Sequence, residues 1–518
     1  MNLLSAQQAA ALISDGQTVV CAGFVGAGHA EAVTAALERR FISDGSPRDL
    51  TLVYAAGQGD RLRRGVNHFG HVGLVKRVIG GHWISAPRLG RLVLDNAIEA
   101  YNLPQGVITQ LYRAIAGGKL GVVTPIGLHT FVDPRHGGAR LTSCSPEGVV
   151  ELITLAGREQ LFYPAFKLDV ALIRATSADA HGNLGTEHEP FHQDLLAIAQ
   201  AAHNSGGIVV AQVKRIVASG ALDPNLVRVP GILVDHVVVT QDPADHWMTF
   251  GEEHNAAYLR GGPAPVLQTS PHATGPLDAR KMIQRRALLE LAALRSPVVN
   301  LGVGMPAGIG ALARDEGHED FTLTVESGPI GGTPADKLSF GASAYPQAII
   351  DHAAMFDFYD GGGLDIAFLG MAELDAQGNV NVSRFGDVVA GVGGFINITQ
   401  STRRVVFMGT LTAGGLRVRA GAGRLAIECE GRVAKLVPRV GHLSFNGPYV
   451  SGMGHSVRYI TERAVFELRA GRLTLIEIAP GIDLQRDVFD VIAVAVDVAD
   501  DLRLIDARVY DDAPMFAR

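Results

Sequence analysis

Short, largely apolar runs rich in β-branched residues recur along this chain, and they constrain its fold more than any other feature. QTVVCAG (17–23), LDVALIRAT (168–176), GGIVVAQV (206–213) and ILVDHVVVT (232–240) are continuous and rich in β-branched residues. A strand with one wet face would alternate apolar and polar residues. These runs therefore predict strands buried on both faces. Helical stretches such as HAEAVTAALERRF (29–41) and FHQDLLAIAQAA (191–202) lie between them. Strands alternating with helices predict an α/β protein with largely parallel sheets flanked by helices. The 62 glycines among 518 residues exceed the usual share of about 7%, so many tight turns and close backbone approaches are expected.

A chain of 518 residues is too long for one hydrophobic core, and two or more domains are expected. The net charge of −7 is spread without a basic stripe, which argues against nucleic acid as a partner. Cys21, Cys144 and Cys429 are scattered and form no CxxC pair, which fits a reducing compartment without structural zinc. The start, MNLLSAQQAAALISDG, lacks the basic and long apolar regions of a signal peptide. It reads as a helix with Ser5 as N-cap, Gln8 completing a capping box and Gly16 past the end. No apolar run has the length of a membrane span. A cytoplasmic protein without a membrane partner is the expectation.

The chain repeats itself. DVALIRATSADAHGNLGT (169–186) is echoed by DIAFLGMAELDAQGNVNVS (365–383), each an apolar strand followed by Asp-x-x-Gly-Asn. TVVCAGFVGAGHAEAV (18–33) is echoed by PVVNLGVGMPAGIGAL (297–312), each a strand, a glycine-rich turn and a helix. Two related open α/β domains are expected, 1–259 and 280–518, with the Pro- and Gly-rich stretch 260–279 as linker. Ligands of open α/β sheets bind beyond the carboxyl ends of the strands, where these glycine turns lie.

Several motifs fall short of a function. GVGMPAG (302–308) has one residue too many for a dinucleotide fingerprint, and Pro306 suits a first helical turn. GGKLG (117–121) lacks the Ser or Thr of a phosphate-binding loop. EHEPFHQD (187–194) gathers two histidines and three acids, but Pro190, read as opening a helix, spoils the i, i+4 face of a zinc pair. TLTVESGPIGGTP (322–334) is different. It sets a single acid, Glu326, where a strand meets bare backbone, and Ser327 there is not a hydrolase nucleophile because Val325 stands where glycine is needed. Taken alone, Glu326 could be a solvated turn residue.

The set of motifs in this order resembles a family I coenzyme A transferase, closest to the fused bacterial propionate or short-chain acyl-CoA type, over nearly the whole chain. The pieces are the Gly-Phe turn AGFVGAGHAE (22–31), Pro104-Gln105-Gly106, Glu326-Ser327-Gly328 and the cluster Gly391, Gly393, Gly394. Many relatives have proline where this chain has Ala30. Ketoacid-specific members carry paired asparagines where it has Ala55 and Ala56, so ketoacid specificity is not implied.

The resemblance implies two CoA-transferase domains, α-type and β-type, with the active site in the cleft between them. It implies acyl-CoA and a carboxylic acid as substrates, no permanently bound cofactor, no metal, and a closed homo-oligomer, dimer or tetramer. Glu326 would be the nucleophile, carrying CoA as a glutamyl thioester. Gln105 and the backbone N–H of Gly394 would stabilise the oxyanion. Gly23, Phe24, Gly26 and Gly28 would line the acyl pocket, and Gly391 and Gly393 would approach substrate or CoA. An acyl-CoA hydrolase with the same glutamate, or a non-catalytic ligand sensor, are the alternatives.

Overall fold

In a computed structural model that describes residues 1–262 and 275–516, the apolar runs of the first half pair into one parallel sheet of eight strands. Its order is Asn2–Leu4, His236–Val239, Ile208–Val213, Val170–Arg174, Thr18–Cys21, Leu50–Tyr54, Val75–Gly80 and Glu99–Asn102. Every neighbouring pair is parallel. Val19, Val20, Val170, Ala171, Val209 and Val210 are wholly buried, as continuous apolar runs require. From Thr18–Cys21 the sheet grows one way through residues 50–102 and the other way through residues 170–239. The turns after Cys21 and Arg174 therefore lie where the strand order reverses, the usual ligand crevice of such sheets.

The chain divides into two compact units, neither continuous in sequence. One comprises Met1–Pro263, Val325–Asp357 and Gly386–Asn397, and the other Ala264–Thr324, Phe358–Phe385 and Ile398–Arg518. Residues 263–274, most of the expected linker, lie outside the described residues. The second unit holds strands Thr322–Thr324, Val298–Leu301, Ile366–Gly370, Arg404–Met408 and Ser456–Ile460 side by side and parallel. Antiparallel strands Ala464–Arg469 and Arg472–Ile478 extend it, and Asp497–Leu504 closes the order. Its core joins Ile283, Leu288, Val299, Phe368, Val406 and Ile460.

The repeated Asp-x-x-Gly-Asn proves to be a structural knot present in each unit. In the first, Asp179 Oδ1 accepts from the amides of His181 and Asn183, and Asn183 Oδ1 accepts from Gly231 N at 2.8 Å. In the second, Asp375 Oδ1 accepts from Gln377 and Asn379, and Asn379 Oδ1 accepts from Gly447 N at 3.0 Å. Gly182 and Gly378 sit at φ 86° and 74°, which a side chain disfavours. The acid that starts each echo matches as well: Asp169 Oδ2 accepts from Thr18 N, and Asp365 Oδ2 from Val298 N.

Two helix boundaries differ from expectation. The Ser5–Gln8 capping box is present, but the helix Ala6–Ala11 stops well before Gly16, because Gln17 Oε1 takes the Ser14 amide into a separate turn. Pro190 does not open the following helix, which runs Leu195–Asn204 with Asp194 at its N-cap. Among the described residues, no helix is long and apolar enough to cross a membrane.

Candidate active site

Glu326 stands at the tip of a tight turn. Val325 N donates to Pro329 O, and Gly328 N donates to Val325 O, each at 2.9 Å. Gly328 has φ 128°, and a side chain there would run into the Ile350 carbonyl. The turn therefore needs glycine, and it leaves the Glu326 side chain projecting.

Gln105 opens the helix Gln105–Ala116 just after Pro104, whose fixed φ suits the entry to a helix. It is 2% exposed. Its backbone N–H donates to Gly393 O at 2.9 Å, and its side-chain Nε2 donates to Glu326 Oε2 at 3.2 Å. Gly106 must be glycine, since a Cβ would lie 2.5 Å from Asn397 Nδ2 and from the Phe356 ring. Gly393 N donates to Gly81 O at 2.7 Å, and Gly391 and Gly393 take φ 76° and 52°. That path lays Gly394 against Glu326: its Cβ position is 3.0 Å from Glu326 Cδ and 3.1 Å from Oε1. Gly394 precedes the helix Phe395–Ser401, so its N–H has no acceptor within the helix.

Glu326, Gln105 and Gly394 thus meet within one compact unit, and both halves of the sequence contribute. The glycine turn after Cys21 reaches the same place through Phe24. Phe24 and Ala27 exchange backbone hydrogen bonds at 2.9 and 3.0 Å. The Phe24 ring is buried with Phe191 and packs against the partly buried Phe340, and its centroid lies 5.7 Å from that of His352. Gly23 (φ 149°) clears the Gln58 side chain. Gly26 and Gly28 are clearances against protein: side chains there would collide with Leu338 O and with the Gln193 amide. Ala56 belongs to the same apolar cluster as Phe24.

Two polar residues of this site were not singled out from sequence. His352 Nε2 lies 2.9 Å from Gln105 Nε2, and His352 Nδ1 lies 2.8 Å from Asp194 Oδ2. Asp194 was visible only as part of EHEPFHQD, and His352 lies 158 residues away with no motif around it. The two histidines of that stretch are engaged elsewhere: His192 Nε2 meets the Arg228 guanidinium at 2.5 Å, and the His188 ring lies beside His254.

Desolvation dominates the electrostatics. Burial of its carboxylate pushes the Glu326 pKa up to about 7, against a smaller opposing effect of the Gln105 hydrogen bond. The residue as a whole is half-buried. Nearby, burial and then Arg61 lower His82 to about 4, so its ring is neutral where it packs by Gly393.

The coenzyme A transferase family model matches residues 3–240. The chain is 43% identical to the acetate CoA-transferase YdiF of Escherichia coli K12 over 99% of its own length and 96% of that protein. The chain belongs to the coenzyme A transferase family. It is also 43% identical to the caffeate CoA-transferase of Acetobacterium woodii, over 99% of this chain and 98% of that one. Among solved structures, the YdiF acyl-CoA transferase of E. coli O157:H7, in a thioester complex with CoA, matches with a TM-score of 0.93 at 41% identity. That match covers 100% of this chain and 97% of the other. The two-domain, largely parallel α/β architecture is that of a CoA-transferase, and the chain is an enzyme of that class.

Proposed function

We propose that the enzyme moves CoA between a short-chain acyl-CoA and a carboxylic acid of the acetate and propionate class, through a thioester on Glu326. The observation that carries this reading is the Glu326 carboxylate, held between the Gln105 amide and the Gly394 backbone. A Glu326 oxygen attacks the thioester carbonyl, the C–S bond breaks, and CoA thiolate leaves behind a mixed anhydride. The thiolate then attacks Glu326 Cδ and expels the first acid, leaving glutamyl-CoA. The second acid reverses both steps. Anhydride and thioester both conserve the energy of the bond, so no ATP is needed. Each attack builds an oxyanion, for which Gln105 Nε2 and Gly394 N–H are the proposed donors. The thioester complex of the relative with CoA supports the covalent species.

The α-type and β-type division at 260–279 is part of the proposal, supported by a family match that ends at residue 240. So are a cytoplasmic location and a closed homo-oligomer.

A matrix of acyl-CoA donors against carboxylate acceptors tests the reading. Acids of about two to four carbons are expected to be preferred with overlap, since one methylene changes discrimination by only about 1–3 kcal/mol. A preference for succinate, acetoacetate or caffeate would overturn the assignment, and acyl-CoA consumption without an acceptor would make the enzyme a hydrolase.

Gln105→Ala is expected to lower kcat by roughly 10–1000-fold with less change in KM, as for loss of one oxyanion donor. Unchanged turnover would remove Gln105 from the site. The pH dependence follows from Glu326. Only its carboxylate attacks, and its pKa stands at about 7. The kcat/KM of the free enzyme should therefore climb with pH through about 7 and level off above it. A profile flat from pH 5 to about 8 would contradict a desolvated nucleophile.

A further inference from the structure

We infer that Asp194 and His352 form a positioning pair that orients the Gln105 amide toward the nucleophile; the inference rests on the oxyanion role proposed for Gln105. The chain of contacts is continuous. Asp194 Oδ2 lies 2.8 Å from His352 Nδ1, His352 Nε2 lies 2.9 Å from Gln105 Nε2, and Gln105 Nε2 lies 3.2 Å from Glu326 Oε2. Chemistry fixes the direction of each bond. The Gln105 nitrogen carries two protons and no acceptor. One points to Glu326 Oε2, so the other needs a lone pair on His352 Nε2. His352 is therefore neutral, with its proton on Nδ1, where the Asp194 carboxylate accepts it.

The alternative orientation of the amide is penalised twice. Turned over, it would set Oε1 against the Glu326 carboxylate and leave His352 Nε2 facing an oxygen. The pair thus decides which end of the amide faces the reacting carbon. Its surroundings suit that task. The side chains of His352 and Asp194 are 3% and 6% exposed. Phe24 and Phe356 hold the imidazole, with ring centroids at 5.7 and 5.3 Å. Asp194 occupies the N-cap position of the helix Leu195–Asn204, yet its side chain makes no capping bond. An N-cap aspartate normally bonds the helix amides. Here the carboxylate is committed to His352. His352 is no general base: its free nitrogen faces an amide, and a carboxylate nucleophile has no proton to lose.

The test is a set of double-mutant cycles read in kcat and KM. His352→Gln places an oxygen acceptor near the position of Nε2, while His352→Asn offers a group only near Nδ1. His352→Asn is expected to lower kcat by about 10–100-fold with little change in the KM for acyl-CoA, and His352→Gln to recover most of the loss. In a Gln105→Ala background, His352→Asn should cost less than about twofold more, because the pair acts only through that amide. Asp194→Ala should behave as His352→Asn does, and serves if the histidine variants fail to fold. Slow Gln105→Ala with unimpaired His352→Asn and Asp194→Ala would overturn this proposal alone, as would losses that multiply across the cycle. Gln105→Ala at wild-type turnover would overturn the oxyanion reading and this pair with it.

Discussion

Glu326→Gln is expected to abolish CoA transfer and to leave no covalent adduct when acyl-CoA is added without an acceptor. A neutral amide cannot attack the thioester, and no other carboxylate has been placed between the two donors. In the wild type the same incubation should leave a thioester on Glu326. Borohydride should reduce it to an alcohol and inactivate the enzyme, and peptide mass mapping should locate the change. Steady-state kinetics should be ping-pong, with parallel double-reciprocal lines. Glu326→Asp retracts the nucleophile by one methylene, and a misplacement of about 1 Å can cost about 100-fold. Wild-type exchange by Glu326→Gln, or a label on another residue, would end this mechanism.

The same variant carries a stability signature. The folded protein raises Glu326 from 4.5 to about 7, so it holds that proton more tightly than the unfolded chain does. Stability from this group is full below about pH 4.5 and falls as pH rises through about 7. Removing the charge should make Glu326→Gln more resistant to denaturant than the wild type at pH 8, and no more resistant at pH 4. The gain should be on the order of 1–3 kcal/mol, the lower figure allowing for the solvent the side chain still meets. A gain in stability on losing Glu326 is what the proposed desolvated nucleophile requires.

Gly394→Ala should be the next most damaging change. The new methyl would lie 2.9 Å from Phe356 Cζ and about as close to the Glu326 carboxylate, at 3.0 Å from Cδ. Something must shift, and Glu326 is the projecting partner. A loss in kcat of about 100-fold or more is expected, with the fold retained and the thioester forming slowly. Gly90→Ala is the control. It lies inside the helix Pro87–Leu94 with nothing within 4 Å of its Cβ position, so the change should be neutral or stabilising by up to about 1 kcal/mol. Equal activity in Gly394→Ala and Gly90→Ala would mean that Gly394 is not against the reacting group.

Much of this was legible in the sequence because the signals were local. Continuous valine runs gave parallel strands, and the paired Asp-x-x-Gly-Asn stretches gave two related units with matching hydrogen bonds. Glu326, Gln105 and Gly394 were named only because their short motifs, taken together in order, resemble a known family; no one of those motifs would have sufficed alone. What stayed hidden was long-range. Nothing near His352 announces a partner 158 residues away, and Asp194 read as part of a helix start. The reversal of strand order at Thr18–Cys21 depends on pairing with Val170–Arg174, which no local pattern encodes. Helix ends slipped where a competing turn, such as Gln17 on Ser14, took the backbone groups.

The alternation of segments between the two units bears on how the enzyme fails. The chain passes from one unit to the other after Pro263, Thr324, Asp357, Phe385 and Asn397. Glu326 and Gly394 ride on two loops whose four ends are all tethered in the other unit. A single nick near residue 263 would cut one of these passages and leave the two loops seated, so a clipped enzyme should keep both its activity and its mass under native conditions. Melting of the unit that holds Phe358–Phe385 would instead tug on both loops at once, and activity should vanish with the first structural transition on heating, whichever unit is weaker.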